Sequence, residues 1–328
     1  MCAFTSRREL SLTGAFLIWT ALFLYGIFAG LNFGYGGPRF AVAMGAAAIL
    51  LAGEIFVASP PTQVRVDAFL RSYTFLSASL VPLAAYLFYV LAGRFDRPIE
   101  ILAGIAYVAS PALLAASARG KSPGVWQDYV AILVIWLPVE FRWTYRLFPY
   151  PSQLTHTFTI LLALNVAIAA FLFIRRLDGV GYAVEWGRGF VRAVIFNFVV
   201  LALIIIPLGE AIRFIHFGPT HASLSHAPLS GVEILVFTAW PEEFLFRGLL
   251  QNMLARSLKS RYAGWLAASV IFGFSHILHA PFPNWKYVFL ATIAGLFYGR
   301  AWMKTGSIFP GTIVHALVDT TWFAFFPR

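Results

Sequence analysis

The chain has 328 residues, of which 60% are hydrophobic and 12% charged, and its formal net charge is +10. Soluble globular chains carry about 25% charged residues, so this composition excludes a large water-soluble core and indicates a polytopic membrane protein. The positive surplus does not indicate nucleic acid: the lysines and arginines lie in short loops between apolar runs, not in one patch or stripe.

A spanning helix needs about 20 mostly apolar residues. Eleven segments qualify, at 12–33, 40–58, 72–93, 99–117, 125–141, 155–174, 190–212, 231–255, 262–279, 285–303 and 307–325. The expected fold is therefore all-α, a polytopic transmembrane helical bundle of about 10–11 spans. Arg7 and Arg8 precede the first span and no small-residue cleavage site follows, so it reads as a retained signal-anchor helix. Cys2 is the single cysteine, which excludes an intrachain disulfide and a multi-cysteine metal site. Asp128, Pro138 and Glu140 interrupt the fifth segment, for which a re-entrant or interfacial course is the alternative.

With the N-terminus inside, fifteen of the 24 lysines and arginines fall in inside loops and eight outside, while Arg247 lies within a span. That bias predicts a cytoplasmic N-terminus and an outside C-terminus; losing the fifth span would bring the C-terminus inside. Before about residue 180 the spans carry few charges at depth, Glu54 being the exception. Segment 178–189 reads as a linker or surface loop. The chain is thus divided into an N-terminal helical region, 1–180, with no legible role, and a functional bundle, 181–328. Segment 217–230, with His221, His226 and two prolines, reads as a solvated loop rather than a metal site.

The chemistry is concentrated after residue 230. Glu242 and Glu243 are adjacent in Trp240-Pro241-Glu242-Glu243-Phe244-Leu245-Phe246-Arg247. Charge at membrane depth costs about 2.5 kcal/mol or more per residue and marks a functional site by default. On a helix Glu243 and Arg247 stand at i and i+4 and can pair, whereas Glu242 points about 100° away. The spacing predicts that Glu242 faces an aqueous cavity, where a carboxylate suits general acid–base work; a buried ion-pair network fixing helix packing is the competing reading. Downstream come Phe272-Gly273-Phe274-Ser275-His276, with His279 three residues on, and His315-Ala316-Leu317-Val318-Asp319. Each also has a plain reading, as a helix-end histidine and as an interhelical hydrogen bond. Taken together, the three segments can hold a water, remove its proton with Glu242 and stabilise an oxyanion with imidazoles, or bind a divalent metal through His276, His315, Glu242 and Asp319. No His-Glu-x-x-His, Gly-x-Ser-x-Gly or Gly-x-Gly-Asp occurs. Gly295-x-x-x-Gly299 reads as close helix packing within the bundle. Glu54, Glu140, Glu210 and Glu233 read as hydrogen-bonded or interfacial acids.

The ordered set Glu242-Glu243-x-x-x-Arg247, Phe272-x-x-x-His276 and His315-x-x-x-Asp319 resembles the CAAX-protease and bacteriocin-processing (CPBP) family of intramembrane endopeptidases, which includes the type II CAAX prenyl endopeptidases. The resemblance covers roughly 190–325. It implies a membrane-embedded peptide hydrolase of metallo- or glutamate type, acting on a membrane-associated or lipidated protein or peptide in the lipid bilayer. It implies Glu242 as the base, His276 and His315 orienting water and stabilising the oxyanion, Glu243 and Arg247 as a supporting ion pair, and Asp319 at a position shared by Asp and Asn. Zinc stays open as a cofactor, and catalysis by glutamate and histidine without it is the preferred expectation. The expected location is the bacterial inner (plasma) membrane. The alternative function is non-enzymatic, a proton-coupled transporter or an immunity scaffold, although no internal symmetry of the transporter kind is visible.

Overall fold

The computed structural model describes residues 8–326, so Cys2, Arg7 and Arg328, which entered the sequence reading, lie outside the described residues. The described chain is all-α apart from the two-residue strands Arg8–Glu9 and Glu185–Trp186. It divides into two compact units, Glu9–Asp178 and, for most of the other, Gly179–Arg328.

The first unit contains helices α1 (Leu12–Asn32), α2 (Gly37–Val57), α3 (Pro60–Arg71), α4 (Leu80–Ala92), α5 (Pro98–Ala118), α6 (Trp126–Glu140) and α7 (Thr155–Ala167), which continues as a π-helical stretch, Ile168–Ile174. Their boundaries follow local chemistry. The Ser11 hydroxyl accepts from the Gly14 N–H at the start of α1, and prolines occupy the first turns of α2, α3 and α5, where a missing N–H costs nothing. α7 is the central element, with nearly every residue buried. Beside it Asp128 and Arg175 form a buried ion pair, 2.8 Å from Oδ1 to Nε. Arg175 Nη2 also donates to the carbonyls of Lys121 and Ser122. The fifth expected span is α6, a helix of 15 residues.

The second unit contains α8 (Arg188–Ala211), α9 (His221–Ile234), α10 (Trp240–Glu243), α11 (Asn252–Ser257), α12 (Arg261–Phe274), α13 (Trp285–Thr305) and α14 (Phe309–Phe325). Residues 221–257 are continuous helical backbone, because π-helical stretches Leu235–Ala239 and Phe244–Gln251 join α9 to α10 and α10 to α11. Two expectations are corrected here. Segment 217–230 is not a loop beyond its first residues: Thr220 and Ser223 form a reciprocal capping box that starts α9 at His221, and the box overrides the turn-like composition that follows. The ninth span does not run to 279. α12 ends at Phe274, and the chain turns before α13.

Among the described residues, five helical stretches are long and apolar enough to cross a membrane: Leu12–Asn32, Gly37–Val57, Pro98–Ala118, Ser152–Ile174 and Arg188–Ala211. The chain is an integral membrane protein with a helical-bundle fold.

Candidate active site

The three polar motifs meet in the second unit. α10 is a single turn between the two π-helical stretches, and it carries Glu242 and Glu243. A π turn shifts the helical register locally and recurs at functional sites. Here it sets two successive carboxylates against different neighbours. Glu243 is fully buried, and its Oε2 lies 3.2 Å from the Nε of Arg247, itself fully buried. Its Oε1 lies 3.1 Å from the Nδ1 of His315 on α14. Glu242 is different: a third of its side chain is exposed, and its Oε2 lies 3.9 Å from the Nε2 of His315. The same Nε2 is 3.5 Å from Oδ2 of Asp319, one turn further along α14. A row of groups results, Arg247–Glu243–His315–Asp319, with Glu242 beside its far end.

Small residues make the approach of these helices possible. A Cβ on Gly311, in the first turn of α14, would stand 3.0 Å from Glu243 Oε2. On α13, Arg247 Nη2 donates to the carbonyl of Gly295, and Gln251 Nε2 donates to that of Gly299, each at 3.3 Å. The Gly295-x-x-x-Gly299 pair is therefore a packing surface within the unit, where two side-chain donors spaced i, i+4 reach two backbone acceptors with the same spacing.

Aromatic rings hold the polar row. The Arg247 guanidinium lies over the Phe272 ring at 4.4 Å and near Tyr298 at 5.4 Å. Tyr298 stacks on His315, with centroids 4.7 Å apart and planes at 14°, and Phe272 meets the same imidazole edge-on. His276 sits in the turn beyond α12 rather than on the helix, yet remains one turn from Phe272. Its Nδ1 is 2.9 Å from the Phe272 carbonyl oxygen, and the two rings are 4.9 Å apart. His279 stacks against His276, and Tyr287 lies 4.5 Å from it.

His276, His315 and Asp319 line a cavity whose other walls are largely apolar, with Phe198 and Ile205 of α8, Phe272 of α12, Leu290 of α13 and Trp322 of α14 among them. Its space, open mouth included, is about 700 Å³. All six residues singled out in the sequence thus fall in one neighbourhood, His276 through the cavity wall rather than through a direct bond. The sequence reading missed three features: the Glu243–His315 link, the Tyr298 stack and the Gln251–Gly299 bond. Each joins different helices, 17 to 72 residues apart, so no local spacing announced them. Among the described residues, no three His, Cys, Asp or Glu side chains are arranged to hold a metal ion. The set open to zinc, Glu242, His276, His315 and Asp319, therefore does not fit that role as arranged.

Residues 224–321 match the family described as type II CAAX prenyl endopeptidase Rce1-like. Over this segment the chain is similar to type II CAAX prenyl endopeptidases. The match contains all three motifs, with α10 to α13 whole and most of α14. No curated protein and no solved structure matches the chain.

Proposed function

We propose that the protein is an intramembrane endopeptidase that hydrolyses a peptide bond of a membrane-associated or lipid-modified protein, using water activated by Glu242. One observation carries the assignment of the base. Of two adjacent carboxylates, Glu243 is buried and held by His315 and Arg247, whereas Glu242 is partly exposed and still within 3.9 Å of His315. A general base must reach a water and take its proton, which the held carboxylate is poorly placed to do.

The remaining roles follow from donors and acceptors. His276 donates from Nδ1 to the Phe272 carbonyl, which leaves Nε2 to orient the water. His315 faces carboxylates at both nitrogens; its Nε2–H is the donor suited to a developing oxyanion, a kind of stabilisation that depends on donors fixed in advance. Glu243 holds that ring through Nδ1, and Asp319 lies 3.5 Å from Nε2, where the oxyanion would take its place as acceptor. Arg247 holds Glu243, and the apolar cavity receives the hydrophobic part of the substrate.

The reading places this chemistry in residues 181–328. It puts the protein in a bacterial inner membrane with its N-terminus cytoplasmic, as the loop charges favour; reporter fusions at each terminus test the orientation. The function is tested with purified protein and lipid-modified membrane peptides, comparing wild type with Glu242→Gln and His276→Ala. Loss of a general base lowers kcat by about 10²-fold or more. Cleavage that survives in Glu242→Gln overturns the mechanism.

A further inference from the structure

α8 differs from the other long apolar helices. Only 11% of its apolar window is buried inside the protein, the lowest share among the five candidate spans of the described residues. Its N-terminal half carries an open groove. Val191, Ile195, Phe196 and Val199 line the apolar part, and Arg188 and Arg192, one turn apart, close the end nearest the start of the helix. Both arginines are exposed, and neither has an ion-pair or hydrogen-bond partner among the described residues. Arg300 of α13 adds a third guanidinium. It lies 4.3 Å over the Phe196 ring and donates from Nη1 to the Asn197 amide oxygen, so a neutral group orients its charge without cancelling it.

A cation left without a counter-charge beside apolar surface at the end of a spanning helix is matched by one chemistry. A phosphate head would meet the guanidinium groups, which bind phosphate through a fixed fork of donors, and an acyl chain would lie along the valine–isoleucine face. We propose that this groove is a binding site for an anionic phospholipid, with Arg188 and Arg192 on the phosphate and Val191, Ile195 and Val199 along the chain. Charge complementarity selects this occupant: a zwitterionic lipid offers the arginines a phosphate whose charge is already compensated, and a second copy of the chain would bring the same three cations to the face.

The site lies outside the cavity of the proposed peptidase, so its test does not depend on catalysis. The full chain, purified in a mild detergent, is given phosphatidylglycerol and phosphatidylcholine in equal amounts, and the retained lipid is read by native mass spectrometry. Wild type is expected to retain phosphatidylglycerol preferentially. Arg188→Gln with Arg192→Gln should lower that preference about tenfold or more, on the scale of two basic residues near an anionic surface. Val199→Trp keeps the charge but fills the groove, and should lower phosphatidylglycerol retention without restoring phosphatidylcholine. Equal retention of both lipids by wild type, or an unchanged preference in the double variant, overturns the proposal. So does a dimer in wild type that Val199→Trp abolishes, because the groove would then belong to a second copy.

Discussion

Each unit of the protein buries an arginine against a carboxylate, and the two pairs end differently. In the first unit, Arg175 donates to both oxygens of Asp128 and to two backbone carbonyls, and the Gly124 N–H donates to the same aspartate. The set is closed, with each charge answered within its own neighbourhood. In the second unit, Arg247 shares Glu243 with His315, and His315 in turn faces Asp319 and Glu242 beside a cavity. The residue types are nearly the same. A saturated pair is architecture, whereas a pair that passes its charge on to a third and fourth group at a cavity wall is a candidate for chemistry.

Removing one partner of a buried pair costs about 3–5 kcal/mol, and replacing both with apolar residues costs far less. Arg175→Met is therefore expected to lower the unfolding temperature in detergent sharply, and Arg175→Met with Asp128→Leu to recover most of the loss, with peptidase activity following only the folded fraction. Arg247→Met should match it in stability and also depress kcat of the protein that remains folded. If Arg247→Met protein is fully active per folded molecule, the distinction between the pairs fails.

Glu242→Gln should separate chemistry from stability in the other direction. It is expected to lose about 10²-fold or more in kcat with an unchanged melting temperature, because the side chain is partly exposed and Glu243 carries the buried pairing. Gly311→Ala probes the close approach of α14 to Glu243; overpacking of this kind costs about 1–3 kcal/mol, and the readout is a melting shift accompanied by a fall in kcat. Asp319→Asn keeps an oxygen that can accept from His315 but loses the charge. Since a neutral hydrogen bond has about half the strength of a charge-assisted one, the expected loss in kcat is about tenfold or less. The smallest effect belongs to exhaustive chelation, which should leave activity unchanged; zinc that is stoichiometric and restores lost activity would show that a metal site assembles from these side chains after all.

Much of this was legible in the sequence because the determining contacts are local. The i, i+4 spacing of Glu243 with Arg247 and of His315 with Asp319 survives intact, even with a π-helical stretch beginning at Phe244. Apolar length announced α1, α2, α5 and α8. What stayed hidden depended on distance along the chain or on competition between local signals. Asp128 interrupts an apolar segment, and only the fold joins it to Arg175 across 47 residues. His315 and Glu243 are 72 apart. The start of α9 was obscured by His221, His226 and Pro228, although the Thr220–Ser223 capping box was present as a signal. His276 lies beyond the end of α12 and not within an expected span, because a turn that keeps its Nδ1 on the Phe272 carbonyl imitates another turn of helix.

The paired donation of Arg247 and Gln251 to the Gly295 and Gly299 carbonyls makes helix spacing and carboxylate geometry a single mechanical variable. Whatever pries α13 away from the helical run that carries Arg247 pulls first on that guanidinium, and the guanidinium is the group that holds Glu243. Lateral pressure in the bilayer acts on such spacings. Hydrolysis rates are accordingly expected to respond to acyl-chain length and bilayer tension in reconstituted membranes, and a Gly295→Ala variant, with its Cβ 3.3 Å from Arg247 Nη2, should shift the thickness at which the rate is highest.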